Sequence, residues 1–520
     1  MRKAFLIIMA VLLVATVFVS CKHDPETVTV TFNPGGGAGE PYSQEVVIGQ
    51  NVRLNPNKFT KEGSSFIGWS MSPTGGLDYA DNDTVNLTSN LSLFAVWAET
   101  YEIKVIAAAG GTLVPAETSY NVSDITEVVK LNITPDENYY LGSVSLAGSD
   151  NTSAFYGFHT LFIPMKSKGD IIITPTFKEK PALVSYIDAE WNSSAVVTDA
   201  KTQAAYSLVR NDSTSWTEGW YVLLDDVTIS DRITVSGAVK LILRDGATLS
   251  AEKGITVATG ATLTIYGQTE EKGRLVINGT ESGSAGIGGT SSADCGTIEI
   301  KGGCIEVTGG ENGAGIGGGE GHPGGTVNIF KGEVVATGGK KGAGIGGGAH
   351  GAGGTVVMYG GTVKASSYNK SMAGGAGIGG GYEGNGGSVI ISGAAVDSKG
   401  GDYSAGIGGG NKGNGGSVTI TAGSVTAKGS REAAGIGGGS LGNGANVTIS
   451  GGTIDITGGS GEVDVGVTAY NVAIGAGRNA STDNSLTLEG GVLLEVKDYH
   501  DGSVWQDYDG STRYYQMRTK

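Results

Sequence analysis

Cysteine is scarce in this 520-residue chain: Cys21, Cys295 and Cys304 are its three copies. The last two flank the segment GTIEIK, which reads as a strand. At a rise of about 3.3 Å per residue their Cα atoms lie well beyond the roughly 7 Å that a disulfide spans, so no intramolecular disulfide is expected. Histidine is nearly as rare, with His23, His159, His322, His350 and His500. Only His322 and His350 come from neighbouring repeats, and they occupy different repeat positions, which argues against a metal-binding pair. No metal or other cofactor is expected. Basic residues are outnumbered, 35 against 51 acidic ones, for a formal charge of −16. An acidic surface of this kind argues against nucleic acid and anionic lipid as partners.

Glycine is what the chain has in excess. Of 92 glycines, 61 lie between Gly283 and Gly459. The stretch GAGIGGG at Gly313–Gly319 has the spacing of a phosphate-cradling loop. Such a loop needs one copy, after a strand and at the head of a helix. Here the word AGIG begins at Ala285, Ala314, Ala343, Ala376, Ala405 and Ala434, with a decayed copy, AIGAG, at Ala473. No helical pattern follows any of them. The spacings are 29, 29, 33, 29 and 29 residues, and a fixed period of that length marks an architectural repeat.

Numbering each repeat from its AGIG alanine as zero exposes fixed apolar columns. Position 2 is always Ile. Position 13 runs Ile298, Val327, Val356, Val389, Val418, Val447, and position 15 runs Ile300, Ile329, Met358, Ile391, Ile420, Ile449. Position 20 is Ile or Val throughout, and position 22 is small or aliphatic. The residues between, at positions 14 and 21, vary and are mostly polar. Alternation with a period of two is the mark of a half-buried strand. The reading is a parallel β-helix of about 29 residues per coil, with three short strands and glycine turns in each. Seven coils at about 4.8 Å per rung make a rod of roughly 33 Å, which irregular coils before Ala285 lengthen. Asn385, Asn414 and Asn443 share position 9 and are expected to form a ladder in one turn.

The ends of the chain read differently. Ala4–Val19 is an apolar run behind Arg2 and Lys3, too short for a comfortable membrane span. It closes on FVSC at Cys21, which resembles a bacterial lipoprotein signal. The resemblance implies cleavage after Ser20 and lipidation of Cys21, although Phe18 departs from the usual Leu. Removing residues 1–20 takes away two bases and no acids, moving the formal charge from −16 to −18. A short tether, 21–26, follows.

Residues 27–99 alternate apolar runs with Gly, Asn and Pro turns. Phe32 with Gly35-Gly36, Gly49, Phe66-Ile67-Gly68-Trp69, Tyr79 and Leu93-Phe94-Ala95-Val96-Trp97 resemble the Listeria–Bacteroides repeat of internalin B type. The family implies a small β-grasp-like module used as a stalk or interaction unit of surface proteins. Trp69 and Trp97 are expected in its core. Residues 100–180 look like a divergent second copy that lacks both tryptophans. The solenoid is assigned to 181–481. Residues 482–520 read as a C-terminal cap packed by Trp505, Tyr514 and Tyr515, since a solenoid must close its open edge. The fold class is thus all-β, two small modules followed by a β-helix.

Catalysis is weighed because many β-helices cleave polysaccharides. The best carboxylate pair is Asp397 and Asp455, two rungs or about 9.6 Å apart, near the separation that inverting hydrolysis requires. Thr426 stands between them, Lys364 is adjacent, and no aromatic platform is evident. Calcium binding of the glycine-rich nonapeptide type needs a recurring Asp, which is missing. Ice binding needs a flat Thr array, and column 14 offers only Thr419 and Thr448.

The expectation is therefore a non-enzymatic, lipid-anchored bacterial outer-membrane or cell-surface protein of adhesin type. Its membrane contact is the anchor alone, and its ligand is an unknown glycan or protein. A carbohydrate-active enzyme and a purely structural surface element are the alternatives. Between the third and fourth repeats four extra residues place Tyr368, Asn369 and Lys370 on a protruding loop. Tyr368, flanked by Lys341 and Tyr403, is the candidate partner-binding edge.

Overall fold

The computed structural model describes residues 25–520 except 115–118, 122–127, 148–154, 158–159, 165–170, 280, 369–373, 465–466, 471, 481–484, 498–504 and 511–513. Among the described residues there is no helix. The chain divides into two compact units, Met1–Glu179 and Lys180–Lys520.

In the first unit, strand Thr27–Asn33 pairs antiparallel with Tyr42–Val47 and parallel with the long strand Leu91–Val105. Ser64–Ser70 lies antiparallel on that same long strand. Val30, Phe32, Leu54, Trp69 and Leu93 form the core beneath them. Trp69 is fully buried, with its ring 4.8 Å from that of Phe32. Trp97 packs at the core's edge and donates its indole N–H to the Pro34 carbonyl at 2.8 Å. Glycine in the first turn has a steric reason. Gly35 is left-handed (φ 55°), and a Cβ there would collide with the Ala95 carbonyl.

The topology then recurs. The far end of Leu91–Val105 serves as first strand of a second module, antiparallel to Ser119–Asn121 and parallel to Ile171–Glu179. Tyr139–Ala147 pairs antiparallel with Ile171–Glu179. Leu131, Ile133, Ile173 and Phe177 are the buried centre of this module.

The second unit is a stack of parallel coils. Its most regular sheet is built from the Ile-Gly pairs and their forerunners. It runs Ser215–Trp216, Ile233–Val235, Ile255–Val257, then Ile287–Gly288 and onward to Ile474–Gly475, all parallel. Every position-2 isoleucine is fully buried, and the position-15 residues Ile300, Ile329, Met358, Ile391, Ile420 and Ile449 are too. The positions of the inward columns therefore match the reading from sequence. The early coils are shorter: Thr234 stacks on Ser215 and Thr256 on Thr234, turns of 19 and 22 residues. Ten rungs in this sheet, at about 4.8 Å each, give a stack roughly 43 Å long.

Glycine is required where coils touch. At Gly317, Gly346, Gly379 and Gly408 φ lies near 130°, and any Cβ would strike the carbonyl of the equivalent glycine one coil on. The asparagine ladder exists in a particular form. The side-chain carbonyl of Asn385 accepts from the Asn414 backbone N–H at 3.0 Å, and Asn414 does the same for Asn443 at 2.9 Å. Each side chain thus satisfies a turn amide of the next coil, and no amide-to-amide contact is needed.

Two features differ from the reading by sequence. Residues 184–203, taken there as solenoid, form an antiparallel hairpin, Val184–Trp191 with Val196–Gln203; parallel stacking starts at Ser207–Leu208. At the other end, Gln516–Thr519 returns antiparallel onto the coil strand Thr453–Thr457 and onto Leu494–Lys497. Tyr514 joins the solenoid core. Trp505 is not core: its half-buried ring lies between Arg518, at 3.9 Å, and Lys497, at 4.7 Å.

Candidate binding surfaces

The turns flanking AGIG in successive coils interlock and make one edge of the solenoid. The turn before AGIG in one coil supplies a carbonyl to the turn after AGIG in the next. Asn312 accepts from Ala349, Lys341 from Tyr382, and Tyr403 from Ser440, each at 2.8–2.9 Å. This register places side chains that are about 40 residues apart in sequence against one another.

Position 7 of the five coils beginning at Ala314, Ala343, Ala376, Ala405 and Ala434 sits on this edge in a left-handed conformation: Gly321 (φ 79°), His350 (63°), Glu383 (59°), Lys412 (66°) and Leu441 (66°). Glycine accepts such angles without penalty, whereas other residues pay about 1–2 kcal/mol. A chain with 92 glycines nevertheless puts His, Glu, Lys and Leu there. These side chains interact. Lys412 Nζ donates to Glu383 Oε1 at 2.8 Å and to the Tyr382 hydroxyl at 2.9 Å. His350 Nδ1 lies 3.1 Å from Glu383 Oε2, and its ring meets Tyr382 edge-on at 5.5 Å. The hydrogen bonds from Lys412 and then Tyr382 pull the Glu383 carboxyl down to about 2, and those to Glu383 and then Tyr382 push the Lys412 ammonium upward.

The three edge residues expected from sequence are placed as follows. Tyr368 is 40% exposed, and its backbone carbonyl abuts Gly401 of the next coil. Lys341 turns onto the Tyr382 ring, 5.6 Å from its centre. Tyr403 is half-buried, left-handed (φ 60°), and bonds Arg431 one coil on. Asn369 and Lys370 lie outside the described residues, as does Cys21. Tyr382, Glu383 and Lys412 are additions that the sequence reading missed.

His322 and His350 are directed to separate carboxylates, His322 to Asp294 at 2.6 Å and His350 to Glu383. Asp397 and Asp455 share an outward column with Thr426 between them, as the registers Asp397↔Thr426 and Thr426↔Asp455 require. Both carboxylates are exposed. Cys295 and Cys304 are free thiols. Burial pushes the Cys295 thiol up to about 12, which removes thiolate reactivity at neutral pH.

An aromatic platform does exist, contrary to the sequence reading, and the hairpin covers much of it. On the outward side of the early coils Trp220 stacks on Tyr266 at 5.3 Å, and Phe330 on Tyr359 at 4.9 Å. Tyr186 of the hairpin packs on Trp220 and Tyr266, both at 4.9 Å, and Trp191 stacks on Tyr359 at 5.1 Å. Between these ring groups Asp188 accepts from Lys301 at 2.7 Å and from Lys201 at 2.6 Å. Asp188 and Lys301 are each 8% exposed. Lys301 also lies 5.6 Å from the Tyr266 ring centre and 5.5 Å from that of Phe330. The two lysines outweigh desolvation and hold the Asp188 carboxyl below its ordinary value. Burial and bonding therefore clamp the hairpin through the Lys301 ammonium, which meets Asp188 closely and Glu190 at 3.8 Å and is flanked by rings.

Fold and edge together define an all-β protein whose larger unit is a parallel β-helix. The Listeria-Bacteroides repeat domain matches residues 29–96. The beta helix repeat matches residues 298–320, 324–349, 353–382 and 418–440. No curated protein and no solved structure matches the chain. The pair of repeats points to a surface-type β-helix protein.

Proposed function

We propose that the protein is a non-enzymatic bacterial surface binder of adhesin type, lipid-anchored in the outer membrane or at the cell surface through Cys21. Its first module is taken as internalin B-like, and it binds a glycan or protein along the turn edge of its β-helix. The observation that carries this reading is the left-handed position-7 column. Side chains are held there at a conformational cost, on a rigid scaffold, and backbone strain of that kind concentrates where side chains serve a ligand. The edge residues vary from coil to coil while the core columns stay apolar, as a recognition surface on a uniform scaffold would. The exposed Asp397 and Asp455, with Thr426 interposed, make no enclosed carboxylate pair, so no hydrolytic step is assigned to them.

Two measurements test the reading. A glycan and host-matrix array probed with the mature protein should return a ligand. Tyr368→Ala, Lys341→Ala and Tyr403→Ala combined should then weaken that binding by about tenfold or more, the scale of a few lost contacts, without lowering the melting temperature. Unchanged affinity would remove the edge from the proposal. For the anchor, metabolic labelling with a fatty acid should mark the wild type and not Cys21→Ser; equal labelling of both excludes lipidation at this residue.

A further inference from the structure

We propose that the flat sheet face of the coils beginning at Ala376, Ala405 and Ala434 is a second binding surface, for an extended, uncharged polysaccharide. The inference rests on the surface-binding reading for its class of partner but not on the turn edge.

The face consists of positions 12, 14 and 16, which alternate with the buried columns at 13 and 15. In these three coils it carries Ser, Thr, Asn and one Ile, and no charge at any of its nine positions. The mid-face column is Ile390, Thr419 and Thr448, held in register by Ile390↔Thr419 and Thr419↔Thr448. The adjoining outward face of the same coils, at positions 19, 21 and 23, bears Asp397, Lys399, Lys428 and Asp455. Solvated faces are ordinarily charged, and the neighbouring face obeys that rule. The uncharged face does not.

What this surface accommodates is visible one coil earlier. There the chain's own hairpin lies across it and seats Trp191 on Tyr359. Beyond that point the column continues as Ser392 and carries no further ring. The uncovered face thus begins at half-buried aromatic rings and continues as rows of hydroxyl groups about 4.8 Å apart, close to the length of one sugar residue. A pyranose chain offers C–H faces to rings and hydroxyls to Ser, Thr and Asn, with no charge to neutralise. An added protein strand is disfavoured, because these strands already use their backbone groups in the ladder and β-augmentation needs a free edge. An anionic polymer would need Lys or Arg, which this face lacks.

The test is calorimetric titration of the mature protein with an uncharged β-linked glucan and an uncharged xylan, with polygalacturonate as the charged comparator, at low and high salt. Binding of an uncharged polymer is expected, unchanged by salt since no ion pairs form. Thr419→Glu should weaken it about tenfold or more, by removing a hydroxyl contact and opposing desolvation, with the melting temperature nearly unchanged. Ser417→Glu, in the exposed flanking column, should weaken it independently. The Lys341, Tyr368 and Tyr403 triple variant should retain it. Undiminished binding in the glutamate variants, binding of polygalacturonate alone with loss at high salt, or no uncharged polymer bound would each overturn the proposal. Thermal hysteresis of ice growth without polysaccharide binding would overturn it as well. Loss of binding in the triple variant alone would return the glycan to the turn edge, leaving the first reading intact and sinking this one.

Discussion

Glu383 combines two properties that pull apart: a left-handed backbone and an unusually acidic carboxyl. The Lys412 hydrogen bond, with that from Tyr382, takes its carboxyl from the ordinary 4.5 to about 2. A carboxyl whose folded value is depressed contributes stability above its unfolded value, and that contribution is lost as pH falls through the folded one. The gap in melting temperature between wild type and Glu383→Gln should therefore be constant above about pH 4.5 and close towards pH 2. It should be small and shrink with salt, because the pair is exposed. A gap independent of pH across that window would mean the carboxyl is not engaged by Lys412 in solution. None of this could be read from the sequence. Nothing in the letters marks position 7 as left-handed, since Gly, His, Glu, Lys and Leu all occupy it there. The Lys412–Glu383 contact joins residues 29 apart through a register that only the closed coils define. Tyr368 and Lys341 were legible as edge residues because they sit in turns of variable sequence; that Lys341 faces Tyr382 depends on the same register.

At the level of elements, the hairpin 184–203 is the part least legible in advance. Its strands have the length and composition of coil strands, and its antiparallel pairing leaves no trace in a period of two. The solenoid strands were legible for the opposite reason, because six copies of one apolar pattern fix both inside and outside. The hairpin's seat is an ion pair buried on both sides. Asp188→Ala leaves the Lys301 ammonium only the more distant and exposed Glu190 carboxylate, at 3.8 Å, and should cost up to about 3–5 kcal/mol, as breaking one side of a buried pair does. Asp188→Leu with Lys301→Met, which leaves no buried charge and frees only the more exposed Lys201 and Glu190, should recover most of that loss. Chemical denaturation of the three proteins decides it, and a neutral Asp188→Ala would show that the rings alone hold the hairpin. Limited proteolysis at the 192–195 turn reports detachment separately from unfolding of the coils.

For the β-helical unit as a whole, each coil buries its inner face only against its neighbours, so damage at one rung is shared. Ile378 is fully buried in the middle of the Ile-Gly sheet, paired with Ile345 below and Ile407 above. Ile378→Asp should destabilise by more than the roughly 2–5 kcal/mol of truncation to alanine, since it also buries an unpaired charge. Thr419→Asp, on the partly exposed column, should be mild. Comparable losses in thermal stability for the two would refute the assignment of inside and outside. The returning strand Gln516–Thr519 bears on a different matter. Because it runs antiparallel on Thr453–Thr457, the last coil offers no free parallel edge along that strand for another rung to join. A new repeat between existing coils finds the same apolar columns above and below, whereas one past the returning strand does not find that partner. Descendants of this chain should differ in length by whole coils, with both ends preserved, so that reach is inherited as an integer.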